Sequence, residues 1–345
     1  MAVVSDNSGG WGARRRLYER LSTRLAALDD STLAARVAAA PLTAGFHADS
    51  GPMELDGVAV FVKKLPLTHL ERSAGRTRPT ANLFGLPLYY QYGVGSSGFG
   101  AWRELAANVM ATRWVLSGAC ANFPLLYHWR VLPRPEAAPP TPAEEAALDR
   151  YVAYWNGSEA IRERRAAMTS SPASVVLFLE HFPQALWPSL TELAAAGGDA
   201  AEQAVMRADD QLAATVSFMN DRGMLHFDMH YYNAVTDGEN VYLADFGLAI
   251  HSGFELSNAE RDFFDEHRLY DRCFVADQFA HFVDTLGDPG ALDPSVRERL
   301  QRYRPVAQAM WDLRKALRTD KTVRYPAAEL RRLAAERGLA GRADD

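Results

Sequence analysis

Two short polar clusters, joined by a stretch that reads as a β-hairpin, constrain this chain more than any other feature. The first is His226-Phe227-Asp228-Met229-His230-Tyr231-Tyr232-Asn233, and the second is Ala244-Asp245-Phe246-Gly247. Between them, Asp237-Gly238 flanked by apolar residues predicts a tight turn between two short strands. Upstream, residues 210–220 carry apolar side chains at helical spacing, and Gly223 stands where a helix C-cap is expected. The predicted order is helix, polar loop, hairpin, polar turn, with Asn233 at the entrance of the hairpin and Asp245 just past its exit. Either cluster alone reads more readily as a solvated turn. Together, in this order, they bring two carboxylates and a carboxamide toward one place.

Residues 175–249 resemble the catalytic half of the protein-kinase-like superfamily. The loop is similar to the H-G-D-L-H-x-x-N pattern of small-molecule kinases of the aminoglycoside and choline type, with His230 where protein kinases carry a lysine. Asp245-Phe246-Gly247-Leu248-Ala249 is similar instead to the D-F-G motif of eukaryotic-type protein kinases. The resemblance implies an α+β, bilobal protein-kinase-like fold with a small antiparallel-sheet N-lobe and a mostly helical C-lobe. It implies ATP and Mg²⁺ as cofactors, Asp228 orienting the acceptor hydroxyl, and Asn233 and Asp245 as metal ligands.

Such a site also needs a cation for the phosphates and a carboxylate to hold that cation. Gly57-Val58-Ala59-Val60-Phe61-Val62-Lys63-Lys64 is a β-branched run entered through an Asp56-Gly57 turn, and it resembles the V-A-I-K strand. Side chains alternate across a strand, so only one lysine can face a cleft; Lys63 is the expected one and Lys64 the alternative. Glu104, in the first turn of a helix predicted over 102–116, is the expected partner of Lys63, although an acid there also suits the helix dipole. The phosphate-covering loop is expected at 45–51, with backbone contacts from Ser50 and Gly51. Residues 174–182 form a continuous apolar run ending in polar and aromatic side chains, and backbone groups of Glu180, His181 and Phe182 are expected to meet the adenine edge.

Gly93-Val94-Gly95-Ser96-Ser97-Gly98 matches a dinucleotide fingerprint if a strand precedes it and a helix follows. No acidic residue follows at the needed place and no βαβ series surrounds it. The reading preferred here is a segment near the cleft that positions the Glu104 helix or covers the acceptor.

Three expected parts divide the chain: an N-terminal extension over 1–33, an N-lobe over 34–181 and a C-lobe over 182–345. The N-lobe would carry a proline- and alanine-rich linker and one inserted helix at about 133–172, the helix itself over 143–168. Helices are expected over 259–286 and 295–317 in the C-lobe. Phe227 replaces the arginine of H-R-D, no Ala-Pro-Glu follows, and Ser252 is the single hydroxyl residue in 248–256, so a switch by loop phosphorylation is not expected. His267, Tyr270, Asp271 and Arg272 would either shape an acceptor pocket or serve the structure. These readings point to transfer of the ATP γ-phosphate to a hydroxyl, with a small molecule favoured as acceptor over a protein. The alternatives are a serine/threonine protein kinase and a non-catalytic nucleotide-binding pseudokinase.

Composition narrows the setting. With 345 residues, of which 48% are hydrophobic and 23% charged, the chain can build two lobes around a sizeable core. A net charge of −6 argues against a nucleic-acid partner, and no apolar run reaches the length of a membrane span. The first residues lack the apolar segment of a secretory signal, and two distant cysteines, Cys120 and Cys273, suggest no disulfide framework; both point to the cytoplasm.

Overall fold

The computed structural model describes residues 8–45, 48–73, 78–135 and 138–339. It is a mixed α+β structure with a small antiparallel-sheet lobe and a helical lobe. Helices α1 (Ser8–Ala27) and α2 (Asp30–Ala39) lead into strands β1 (Thr43–Ala44), β2 (Asp49–Leu55) and β3 (Val58–Leu67), followed by the short α3 (His69–Ser73) and by α4 (Ala101–Leu116). Strand β4 (Leu126–Pro133), helices α5 (Pro142–Tyr154) and α6 (Glu159–Thr169), and strand β5 (Ala173–Glu180) complete this part. The five strands lie in the order β1-β2-β3-β5-β4, and every neighbouring pair is antiparallel.

The continuous apolar run of β5 has a physical cause, because both faces of the strand are covered. Val175, Leu177 and Leu179 pack with Trp102 and Leu105 of α4, whereas Val176 and Phe178 join the main core with Val60 and Val62 of β3. Leu21 and Leu25 of α1, and Leu33 and Val37 of α2, are buried in that same core. The boundary expected after residue 33 therefore falls inside α2, and the N-terminal helices dock on the sheet instead of extending from it.

The helical lobe begins with β6 (Gln184–Ala185), α7 (Leu186–Ala196) and α8 (Ala200–Asn220), then β7 (Met224–Leu225), β8 (Ala234–Thr236), β9 (Val241–Leu243) and β10 (Ile250–His251). Helices α9 (Asn258–Glu266), α10 (Tyr270–Val283), α11 (Pro294–Thr319) and α12 (Ala327–Glu336) close the described chain. Strands β8 and β9 form the expected hairpin, with Gly238 at φ 101° and the Asp237 carboxylate accepting from the amides of Glu239 and Asn240. Gly223, at φ 78°, ends the turn after α8 as its position in the sequence predicts.

Three expected elements differ. The inserted helix over 143–168 is two helices, because Asn156 and Gly157 both take left-handed backbone (φ 57° and 69°) and turn the chain behind the buried Trp155. The helix expected over 259–286 is broken between α9 and α10. Residues 88–91 form a single 3₁₀ turn, so no strand precedes Gly93 and the dinucleotide reading loses its required context. Among the described residues, no helix is long and apolar enough to cross a membrane.

Candidate active site

Strand alternation decides between the two lysines. Lys63 is 5% exposed, and its Nζ lies 2.7 Å from Glu104 Oε1 and 2.8 Å from Asp245 Oδ1. Lys64 points elsewhere, toward Asp49 at 3.5 Å. Burial lowers the Lys63 pKa, but the carboxylates of Asp245 and Glu104 outweigh it, and the ammonium is held above its ordinary value. Burial pushes Glu104 the other way, raising its carboxyl against the pull of Lys63.

Glu104 is fixed by the start of α4. The amide of Ala101 donates to Glu71 Oε1, and the neighbouring Arg103 forms a fully buried ion pair with Glu260 of α9 at 2.6 Å. Glu260 also completes a capping box with Ser257, so the first turn of one helix is tied to the first turn of another.

The loop after β7 is shaped from beneath by Asp271, which is wholly buried on α10. Its carboxylate accepts from the amides of His226 (2.7 Å) and Phe227 (2.9 Å) and from the side chain of Asn220 (3.1 Å). These bonds hold Phe227 at φ 65°, a costly conformation for an aromatic residue, and so turn Asp228 outward. His226 bridges the two polar clusters: Nδ1 accepts from the Asp228 amide at 3.3 Å, which leaves Nε2–H to donate to the Ala244 carbonyl at 2.9 Å. Burial lowers the His226 pKa, in keeping with a neutral ring.

Asn233 donates through Nδ2 to Asp228 Oδ2 (2.9 Å) and to its carbonyl (3.0 Å), so the amide oxygen is the atom of this side chain that could accept or coordinate. Asp245 is left-handed (φ 60°, ψ 75°), and its Oδ1 also accepts from the Gly247 amide at 3.2 Å. His230 Nε2 lies 3.5 Å from Asp228 Oδ1. Burial lowers its pKa, yet the hydrogen bond and charge of Asp228 raise it overall.

Lys63, Glu104, Asn233 and Asp245 line one cavity of about 310 Å³, together with Glu180, His181 and Phe182 and the apolar Pro52, Phe61, Leu179 and Val235. That volume and its mix of apolar walls and a few charged groups suit a flat, charged small molecule. Among the described residues no group of three or more His, Cys, Asp and Glu is placed to hold a metal ion by itself. One acid and one amide fit Mg²⁺, which usually keeps waters and takes its remaining oxygens from phosphates.

Ser50 and Gly51 do not line the cavity. They lie in β2 opposite Lys63 and Val62, and a β-carbon on Gly51 would come within 2.9 Å of the Pro41 carbonyl, so close packing of 41–42 explains that glycine. Phe46 and His47, central to the expected phosphate loop, lie outside the described residues. The Glu180 carboxylate is held by Arg14 of α1, which grips both of its oxygens (2.9 and 2.7 Å) and donates to the Ala121 and Phe123 carbonyls. Neither Arg14 nor the Asp271 clamp has a local signature, since each acts on backbone far away in sequence. His267 is buried against Tyr92, and so has a structural place.

No protein-family model matches the chain, and no curated protein matches it in sequence.

Proposed function

We propose that the chain is an ATP- and Mg²⁺-dependent phosphotransferase of bilobal, kinase-like build, with α1 and α2 docked on a sheet lobe that runs to about residue 181 and a helical lobe after it. The observation that carries this reading is Lys63 between Glu104 and Asp245, in the same cavity as Asn233. Lys63 holds the phosphates and Glu104 holds Lys63; Asn233 and Asp245 take the metal; Asp228 orients the acceptor hydroxyl. Mg²⁺ supplies neutralisation of the phosphate charge during transfer. The apolar walls take the adenine, with the backbone of 180–182 along its edge.

A small hydroxylated molecule is the favoured acceptor. Phe227 replaces the arginine that would read a phosphorylated loop, and it is wholly buried, stacked on Phe263 and Tyr270. The Asp228 carboxylate is flanked by His230 instead of a lysine. A protein acceptor is the second outcome that a transfer assay distinguishes.

Nucleotide binding is tested by calorimetry with ATP, in Mg²⁺ and in excess chelator. Wild type is expected to bind ATP more tightly with Mg²⁺. Lys63→Met, which removes one charged hydrogen-bonding group, is expected to bind about ten- to a hundredfold more weakly. Equal binding by both proteins would remove Lys63 from the site.

A further inference from the structure

The segment from Gln91 to Gly100 runs beside three parts of the proposed site: Asp228, the turn after Asp245 and the start of α4. A β-carbon on Gly93 would collide with Asp228 Oδ1, and one on Gly98 with the carbonyl oxygen of Gly247. Gln91 Nε2 donates to the Leu248 carbonyl, just beyond Gly247. Gly100 is the residue before α4, whose first turn carries Glu104. Catalytic loop, metal turn and Glu104 helix therefore share one neighbour. Glycine is required at two of its positions because the backbone itself is the contact surface.

Apart from the single 3₁₀ turn at its start, this segment lies in no helix or strand, yet three of its carbonyls have side-chain partners. They are bound by side chains of the helical pair α5–α6 inserted between β4 and β5. Tyr154 Oη donates to the Val94 carbonyl at 2.6 Å, Tyr151 Oη to the Gly95 carbonyl at 2.9 Å, and Arg164 Nε to the Gly98 carbonyl at 3.1 Å. Tyr151 Oη also lies 2.6 Å from Tyr90 Oη, which in turn accepts from the Ser97 amide at 3.2 Å. Trp155, wholly buried at the end of α5, packs edge-on against Tyr90 at 4.7 Å between centroids. Backbone polar groups must be satisfied somewhere, and here the inserted pair does it.

We propose that α5–α6 is a positioning module for the Asp228 carboxylate, acting through the 91–100 segment, with Tyr151 and Tyr154 as positioning residues. Two phenols and a guanidinium fix the path of the segment, and the segment fixes the side of Asp228 on which a hydroxyl group can approach. The catalytic consequence rests on the phosphotransfer reading; the structural coupling does not.

The test uses the full chain with Tyr151→Phe and Tyr154→Phe together, which deletes two hydroxyls and keeps both rings. Hydrogen exchange of backbone amides is expected to speed up in 91–100 and in 226–233, with β3 and β5 unchanged. Mg²⁺-dependent ATP hydrolysis, with water as the acceptor, is expected to fall about tenfold while the ATP dissociation constant stays within twofold. Gly93→Ala, which presses a methyl group on Asp228 without touching α5–α6, is expected to give the same split. Unchanged exchange in 226–233 in the double variant would overturn the coupling, as would equal losses of ATP binding and hydrolysis. A wild type that neither binds nor hydrolyses ATP would defeat the phosphotransfer reading, and the exchange result would still decide the coupling.

Discussion

Asp228→Asn is expected to lower phosphate transfer by about 10²- to 10⁴-fold while leaving the fold and ATP binding intact. The substitution is nearly isosteric, and the local bonds explain why little else should move. Asn233 Nδ2 donates to Asp228 Oδ2, so an asparagine at 228 would turn its oxygen to Asn233 and its NH₂ toward His230 and Gly93. The group facing the acceptor would then be a donor with no basic lone pair, unable to orient or relieve a hydroxyl of its proton. The backbone clamp from Asp271 reaches His226 and Phe227 and does not involve the side chain at 228. Steady-state transfer kinetics beside calorimetric ATP binding check this; a variant with undiminished transfer would take Asp228 out of the chemistry.

Acid is expected to destabilise the protein through His267. This ring is 1% exposed, stacked on Phe263 at 3.8 Å and Tyr325 at 4.1 Å. Its Nδ1–H donates to the Phe263 carbonyl, so Nε2 is the acceptor for Tyr92 Oη at 2.7 Å, and the ring is neutral. Burial pushes its pKa down from 6.5 to about 3. With the folded value below the unfolded one, the unfolded chain takes the proton first as pH falls. The contribution is therefore fully present above pH 6.5, is lost progressively between 6.5 and 3, and levels off below that. It amounts to about 4–5 kcal/mol across the window. Urea unfolding of wild type and His267→Phe at several pH values between 7 and 4 isolates this slope. His267→Phe loses the Tyr92 bond, so it should be less stable at pH 7 but visibly flatter with pH. Parallel slopes would show that folding does not shift the His267 pKa.

What the sequence made legible was mostly local. The Asp228 loop, the β8–β9 hairpin and Asp245 follow one another closely, and their turn chemistry is written in adjacent residues such as Asp237 and Gly238. The path of β3 was equally plain, since β-branched residues alternate with Lys63 on a strand buried on one side by Val60 and Val62. The break in the inserted helical region had a local signal too, Asn156-Gly157, which helical periodicity on both sides obscured. Long-range contacts were not legible in this way. Nothing near Asp271 indicates that it will hold the amides of His226 and Phe227, and nothing near Arg14 indicates that α1 will grip Glu180. The glycines at 93 and 98 announced a close approach without naming what would come close. Ser50 and Gly51 lie outside the cavity lining, and a glycine needed for packing against 41–42 looks the same in sequence as one needed for a phosphate.

The account depends most on Asp245 and Asn233 serving one metal-bound phosphate beside Lys63. Its most direct test is transfer from γ-labelled ATP in Mg²⁺ to a metabolite pool and, separately, to cell lysate, by wild type and by Asp245→Ala. The expected result is a labelled small molecule with wild type and none with Asp245→Ala. Equal labelling by the two proteins, or no labelled product of any kind with wild type, would contradict it.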